Sequence, residues 1–114
     1  MSLKRSWTLS DPLEIKSICR KGKKLNTKTL TFFTKATTNQ SRFLAIIPKK
    51  KARKAVTRNL VRRWIYEYFR NNVHQLSHTD IVVFFQIKNF QGSKHQKYQA
   101  ILSDLNKLTD KLNK

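Results

Sequence analysis

With 114 residues, the chain is long enough to bury one hydrophobic core and too short for two independent ones, so one domain covering residues 1–114 is expected. Its composition, 39% hydrophobic and 11% aromatic, excludes a disordered polycation, yet 25 lysines and arginines against 6 acidic residues leave a formal net charge of +19. A domain that folds against such repulsion is typical of proteins that bind a polyanion, because each phosphate neutralised releases counterions and adds affinity. The polyanion is a nucleic acid, an anionic membrane or an acidic protein.

Neither a membrane span nor a signal peptide is recognisable in the sequence. No apolar stretch approaches the roughly 20 residues of a membrane span, and residues 1–11 lack the apolar centre of a signal peptide. The single cysteine, Cys19, cannot form an internal disulfide, which fits a reducing compartment. We therefore expect a cytoplasmic protein with no membrane partner.

The first predicted helix begins at Asp11, which acts as the cap, with Pro12 at the first helical position and Glu14 reaching back as in a capping box. Gly22 is a candidate left-handed terminator. The apolar residues that repeat at helical spacing between these ends are Ile15, Ile18 and Cys19.

Three segments have the composition of β-strands. Residues 29–37 and 42–47 are rich in β-branched and aromatic types, and the polar residues 38–41 between them predict a hairpin of two adjacent strands. Residues 80–88 form a nearly continuous apolar run, which indicates a central strand covered on both faces. Because a helix separates the second and third strands, these two are expected to pair in parallel.

Two further helices complete an α-β-β-α-β-α order, which predicts an α/β or α+β fold with helices packed on a small sheet. One helix follows Pro48 and the run Lys49-Lys50-Lys51 and ends near Asn71 or Asn72. The last helix is capped by Ser93. Its apolar residues recur at spacings of three and four from Tyr98 through Ile101, Leu102, Leu105 and Leu108 to Leu112.

The helix after Pro48 separates into two arcs when its residues are placed at about 100° intervals. The arc expected to be buried holds Val56, Leu60, Val61, Trp64 and Tyr68. The other arc holds Arg58, Asn59, Arg62, Arg63, Tyr66 and Arg70, with Lys51 joining it if the helix begins that early.

The basic arc of this helix is better explained by RNA or DNA binding than by simple solvation. Surface helices usually mix charge signs to gain favourable pairs, whereas Arg58 and Arg62 repel each other and Glu67 lies outside the arc. Arginine also gives phosphate a planar, bidentate donor. Reading of a DNA major groove is disfavoured because a strand, rather than a helix-turn-helix, precedes Lys51. A ribosomal or chaperone-like RNA-binding protein and a free-standing ribonuclease stay as alternatives.

The segment Lys51 to Arg70, with Ala55-Val56-x-Arg58-Asn59-x-x-Arg62-Arg63, resembles the signature helix of the bacterial ribonuclease P protein family. That family's usual pattern runs lysine, glycine, alanine-valine, then arginine-asparagine-arginine and further basic residues. The flanking features have a similar order and spacing over nearly the whole chain. They are an N-terminal Leu3-Lys4-Arg5, a short helix ending in a basic stretch with Gly22, and a strand opening Asp80-Ile81-Val82-Val83.

Several positions depart from the family pattern. Arg53 stands where glycine is customary, Leu60 replaces the last arginine of the motif, and Tyr66 replaces a basic residue one turn later. Two aromatic residues often found on the family's first helix correspond here to Ile15 and Cys19. Phe33 is then the best remaining aromatic platform.

The resemblance implies a particular fold and function. The family fold is an α-β-β-β-α-β-α sandwich with a left-handed crossover, so an additional strand is expected near residues 23–30. The RNA subunit is expected to hydrolyse the phosphodiester with Mg²⁺, while the protein binds that RNA and the 5′ leader of precursor tRNA. No small-molecule substrate, tightly bound metal or catalytic side chain is expected in the protein. The residues implied in RNA binding are Lys49, Lys50, Lys51, Lys54, Arg58, Asn59, Arg62, Arg63 and Arg70, and those of the leader cleft are Ile15, Phe33 and Tyr66.

Other reactive or aromatic residues are better explained by structure than by chemistry. The carboxylates have no close sequence pairing for a two-metal nuclease, and His74 and His78 lack a third ligand for zinc. Cys19 fits core packing better than an activated thiol. Trp64 and Tyr68 are expected in the core, whereas Trp7 either docks on the domain or touches RNA.

Overall fold

In the computed structural model, the described residues are 7–38, 40–51, 54–76, 78–87 and 91–112. Within them, three helices and four strands follow the order α-β-β-β-α-β-α. Their bounds are α1 Pro12–Lys21, β1 Lys23–Asn26, β2 Leu30–Ala36, β3 Arg42–Ile46, α2 Ala55–Asn71, β4 Thr79–Phe85 and α3 Lys94–Leu112. The additional strand implied by the resemblance is therefore present as β1, and the three-strand count obtained from the residue pattern was one short.

The four strands form one sheet in the order β1-β2-β4-β3. The predicted hairpin between residues 29–37 and 42–47 was wrong, because β4 lies between β2 and β3 and the hairpin is formed by β1 and β2 instead. The predicted parallel pair is confirmed, with β3 beside β4, and β4 is the predicted central strand. The left hand of the β3-α2-β4 crossover stays a prediction.

The two faces of the sheet carry separate cores. Helices α2 and α3 cover one face, where the main core includes Phe32, Phe43 and Phe85. Helix α1 covers part of the other face through a smaller cluster centred on Ile18 and Val82. Alternation along each strand produces this division, since successive side chains point to opposite faces.

The predicted helix ends are confirmed where local hydrogen bonds define them. Asp11 caps α1 by accepting the amide of Leu13 at 3.0 Å, and Ser93 caps α3 by accepting the amide of Gln96 at 3.1 Å. The side-chain oxygen of Gln96 in turn accepts a hydrogen bond from the Ser93 amide at 2.9 Å, which completes a capping box. Glu14 does not form the expected capping box on α1, because its carboxylate pairs with Arg42.

Gly22 ends α1 for a different reason from the one predicted. Its φ of −75° and ψ of 170° are extended rather than left-handed. A Cβ at this position would lie 2.5 Å from the carbonyl oxygens of both Ile18 and Thr34. Glycine is required here because two backbones approach closely, and no positive φ is involved.

The buried stripe of α2 is rotated from its predicted position. The fully or nearly fully buried residues are Val61, Ile65, Tyr68 and Phe69. Of the predicted stripe, Val61 and Tyr68 are confirmed, whereas Val56 is 71% exposed and Leu60 and Trp64 are only partly buried. The prediction was wrong because α2 carries apolar residues around much of its circumference, and the sheet selects the side with Ile65 and Phe69.

The outer edge of β3 is covered by the chain that precedes α1. Thr8 forms a parallel bridge with Phe43, and the amide of Leu9 donates to the Phe43 carbonyl at 3.0 Å. Trp7 packs against the main core beside this bridge, so it docks on the domain. An edge strand covered in this way has fewer free backbone groups to pair with another chain.

Candidate nucleic-acid interface

The outward side of α2 carries the basic face, defined as Arg58, Asn59, Arg62, Arg63 and Arg70. Asn59, Arg62 and Arg63 are exposed, whereas Arg58 and Arg70 are partly buried. The guanidinium of Arg62 lies 3.5 Å from the side-chain oxygen of Asn59, and Nε of Arg63 donates to Glu67 at 3.2 Å. Glu67 is the only acidic residue of α2, so the basic face keeps a large excess of positive charge.

Lysines surround the start of α2. Lys49 and Lys50 are exposed in a turn that the Lys51 amide closes by donating to the Pro48 carbonyl at 3.0 Å. Lys54 is the N-cap, and its side chain makes no capping hydrogen bond. Since Lys51 precedes the helix, it does not join the basic face as an additional helical turn. Positive charge at a helix N-terminus is unfavourable unless an anion compensates it, and the backbone amides there are themselves anion donors.

The α1-side surface is defined as the partly exposed apolar residues beside α1, which are Ile15, Cys19, Phe33, Leu44, Ile46 and Phe84. The rings of Phe33 and Phe84 meet edge to face with centroids 5.7 Å apart. Nζ of Lys24 lies 5.8 Å from the centroid of Phe33. The structure therefore brings the predicted residues Ile15 and Phe33 into one cluster, beside a cation.

Leu44, Ile46, Phe84 and Lys24 were missed by sequence reasoning. The alternation of side chains along the strands could have identified two of them. Lys24 and Phe84 lie on the same face of the sheet as Phe33 once the register of β1, β2 and β4 is known. The runs of apolar residues in β3 and β4 concealed it, since strands buried on both faces lose their clear alternation.

Tyr66 lies apart from the α1-side surface. Its ring packs against the main core, and its hydroxyl accepts the backbone amide of Ala45 in β3 at 3.1 Å. The predicted grouping of Tyr66 with Ile15 and Phe33 is therefore not reproduced. Tyr66 instead ties α2 to the outer edge of β3, whose residues Leu44 and Ile46 belong to the α1-side surface.

A charged network closes one end of the sheet beside α1. Arg42 donates to both carboxylate oxygens of Asp80, at 3.3 and 3.0 Å, and also pairs with Glu14. The hydrogen bond to Asp80, followed by that to Glu14, raises the pKa of Arg42 above its ordinary value. A separate contact lies beside this network, where Lys35 of β2 donates to the Ser17 hydroxyl of α1 at 3.3 Å. These contacts hold α1 against β3 and β4.

The reactive side chains of the sequence also include Cys19, His74 and His78. Burial raises the pKa of the Cys19 thiol, which disfavours the thiolate and agrees with the core interpretation. His74 and His78 are exposed, as predicted for surface residues beyond α2. Among the described residues, no group of three or more histidine, cysteine, aspartate or glutamate side chains is placed to hold a metal ion.

None of the helices within the described ranges is both long enough and apolar enough to cross a lipid bilayer.

The described residues form a four-stranded mixed sheet flanked by three helices. A strongly basic helix lies on one face of the sheet, and partly exposed aromatic residues lie on the other. Together these features define a small α+β protein of the nucleic-acid-binding class. The sequence profile of the ribonuclease P family matches residues 3–113. The chain therefore belongs to the ribonuclease P protein family.

Similar proteins agree with this assignment. A relative from Fusobacterium nucleatum subsp. nucleatum, described as ribonuclease P protein component, is 33% identical over 103 residues, which cover 89% of this chain and 92% of the relative. The RNase P protein of Staphylococcus aureus superposes with a TM-score of 0.76 at 19% identity, covering 90% of this chain and 94% of that one. The Thermotoga maritima RNase P protein gives 0.68 at 23% identity, covering 93% and 94%.

Membership of the family establishes the general function. The chain is the protein component of a ribonucleoprotein enzyme that processes the 5′ end of tRNA, and the RNA of that enzyme carries the catalysis. An RNA is therefore its partner in the holoenzyme.

Proposed function

We propose that the chain binds the catalytic RNA of ribonuclease P through the basic face of α2 and the lysines that precede it. The observation that carries this proposal is the excess of exposed arginine on α2, where Arg62 has an asparagine rather than a carboxylate beside it. Planar guanidinium groups bind phosphate oxygens in pairs, which suits a folded RNA backbone.

The start of α2 supports a phosphate contact by Lys49, Lys50, Lys51 and Lys54. The other two helices are capped by side chains, Asp11 on α1 and Ser93 on α3, whereas Lys54 offers no cap. A phosphate at the start of α2 would satisfy its amides and neutralise the neighbouring lysines. The same phosphate would relieve the repulsion between these lysines.

The α1-side surface is the proposed site for the 5′ leader of precursor tRNA. Phe33 and Phe84 give an unpaired base an apolar surface, Ile15 borders it, and Lys24 stands near a position that a leader phosphate would occupy. Tyr66 is left out of this leader site because its hydroxyl is bonded to β3. Its proposed role is to hold α2 at the edge of the sheet.

In this proposal the RNA subunit carries out the hydrolysis and the protein positions the RNA and the leader. Magnesium ions bound to the RNA would neutralise the charge that develops during phosphodiester hydrolysis. The chain's own residues would position RNA and leader and lower the magnesium concentration that assembly requires, since they supply positive charge themselves. A cytoplasmic location, as expected from the sequence, is part of this proposal.

The test is reconstitution with a cognate ribonuclease P RNA and precursor tRNA at low magnesium. We expect cleavage at the mature 5′ end when the protein is added, and no cleavage by the protein alone. The variant Lys111→Ala, which removes an exposed cation from the far end of α3, is the matched control and should restore cleavage as well as the parent chain does. Tight RNA binding without restored cleavage would instead favour a chaperone-like RNA-binding protein.

A further inference from the structure

Trp64 and Tyr98 form an aromatic pair that is only partly buried at the junction of α2 and α3. Their ring centroids are 5.5 Å apart and the rings meet at 70°. With Lys94 and His95, both exposed, they line an open depression with a volume of about 460 Å³. This volume lies within the range of roughly 300 to 1,000 Å³ that is usual for small-ligand sites.

Core packing alone does not explain why these two aromatic side chains are only partly buried. Four phenylalanines of the main core, Phe32, Phe43, Phe69 and Phe85, are no more than 1% exposed. Trp64 contacts the same core but is only partly buried, and the ring of Tyr98 meets it at a steep angle rather than stacking flat on it. An aromatic surface left open between two helices is available for stacking by a planar partner.

The lining of the depression identifies the chemistry of that partner. Within the part of the chain that the structure describes, its lining residues are aromatic or carry a basic side chain, and none is a carboxylate. Bases stack on aromatic rings with little dependence on sequence, while lysine neutralises the phosphates on either side. A nucleotide therefore complements the depression in both shape and charge, whereas an apolar peptide would use the rings and leave Lys94 and His95 without a counterpart.

The position of the pair connects it with the basic face of α2. Trp64 follows Arg63 directly and borders the exposed side of α2 next to α3, whereas Tyr66 borders it next to β3. We infer that Trp64 and Tyr98 form a stacking site for one unpaired nucleobase of the RNA that the basic face binds, with Lys94 and His95 beside the flanking phosphates. The inference rests on the proposed function, because it takes the partner of the basic face to be RNA.

Tryptophan fluorescence gives a direct test. The chain has two tryptophans, so Trp7→Phe leaves Trp64 as the only indole. We expect a short single-stranded oligoadenylate to quench this emission, and an abasic ribose-phosphate oligomer of equal charge to leave it nearly unchanged. Equal quenching by the two oligomers would overturn the stacking site, since phosphate contact alone would then explain the signal.

A second measurement keeps Trp7 in place and follows the anisotropy of labelled oligoadenylate. Tyr98→Ala should weaken binding by about fivefold to a hundredfold, the usual value of one base stack, without changing the dependence on salt. Tyr98→Phe keeps the ring and should bind as the parent chain does. Lys111→Ala again serves as the control on the same helix. Identical affinities for the alanine and phenylalanine variants would overturn the inference.

The outcomes separate this inference from the proposed function. Restored tRNA cleavage with no base-dependent quenching would overturn the stacking site alone. Base-dependent quenching without restored cleavage would support the stacking site and reject the proposed function. If Trp64 emission changed with protein concentration in the absence of RNA, and Tyr98→Ala abolished that change, the surface would be a contact between two copies and the inference would be rejected.

Discussion

Arg42 and Asp80 are direct partners on the parallel strands β3 and β4, and the guanidinium of Arg42 donates to both oxygens of the Asp80 carboxylate. Asp80 is only 5% exposed, while Arg42 continues outward to Glu14 on α1. One buried carboxylate therefore orients an arginine that joins two strands to a helix. The α1-side surface depends on this arrangement, because α1 supplies Ile15 and Cys19 to it.

The variant Asp80→Asn should lower the free energy of unfolding by about 1.5 to 3 kcal/mol, as expected for the loss of hydrogen bonds to a charged group. Urea denaturation would measure the loss. Glu14→Gln removes the more exposed partner of Arg42 and should cost less, about 1 kcal/mol or below. A loss for Asp80→Asn no larger than that for Glu14→Gln would contradict the proposed importance of the buried carboxylate.

Substitution of the basic face should change the salt dependence of RNA binding. Arg62→Ala and Arg63→Ala should each reduce the slope of log K against log salt by about 0.7 to 0.9, the value of one lost phosphate contact. The effect of Arg63 should be the smaller, because Glu67 already pairs with it. Filter binding to the ribonuclease P RNA over a range of salt concentrations would measure both slopes, with Lys111→Ala as the control. Unchanged slopes for the two arginine variants would argue against contact by this face.

Phe33→Ala should weaken binding of precursor tRNA by about five- to a hundredfold while leaving mature tRNA unaffected, because the proposed stack involves the leader alone. Competition binding to the reconstituted holoenzyme would compare the two RNAs. Leu13→Ala is the control, since Leu13 on α1 is 77% exposed and lies outside the α1-side surface. Equal losses for precursor and mature tRNA would remove Phe33 from the leader site.

Gly22→Ala should lower the free energy of unfolding by about 1 to 3 kcal/mol, the usual cost of overpacking. The added methyl group would meet two backbone carbonyl oxygens, from Ile18 and Thr34, and neither can move without displacing α1 or β2. Lys21→Ala, one residue earlier and exposed, should change stability by less than about 0.5 kcal/mol. Chemical denaturation of both variants decides the point, and equal stabilities would refute the close approach.

Because the phenol of Tyr68 is buried, we expect the folded chain to lose stability at alkaline pH. Burial is the main cause that raises the pKa of its phenol in the folded chain above the ordinary value of 10.0. Between the unfolded and folded pKa values the unfolded chain loses the phenolic proton first, so stability is complete below about pH 10 and falls as pH rises further. Tyr68→Phe removes this contribution.

At neutral pH, Tyr68→Phe should be less stable than the parent chain by about 1 kcal/mol, because the hydroxyl bonds to Asn106 and Thr109 at 2.9 and 2.6 Å. The difference should shrink as the pH rises above about 10, the ordinary pKa of the phenol in the unfolded chain. Parallel denaturation curves across this range would measure it. A difference that stays constant with pH would contradict a raised pKa.

Local sequence patterns were enough to predict where α1 and α3 begin and to predict the central strand. Asp11 and Ser93 bond to amides two and three residues away, so their capping depends on no distant contact. The apolar run around Val82 and Val83 predicted a strand covered on both faces, which β4 is. Short-range hydrogen bonds and hydrophobicity are properties of the local sequence, and this is why these predictions were confirmed.

The predictions that failed required knowledge of distant neighbours. The hairpin between β2 and β3 was expected because the two are close in sequence, but β4 enters between them from more than thirty residues away. The close approach at Gly22 exists only because Thr34 of β2 lies beside it. Neither relationship leaves a pattern in the local residues.

The basic helix was identified from the sequence by itself, together with the polyanionic partner implied by a charge of +19. Charge density and arginine chemistry do not depend on how the chain folds. Only the tertiary structure decided which way α2 faces, because its apolar residues allow more than one buried side and the sheet selects Ile65 and Phe69. That rotation leaves Trp64 partly open beside Tyr98 and turns Tyr66 towards β3, where burial and backbone hydrogen bonding determine its role.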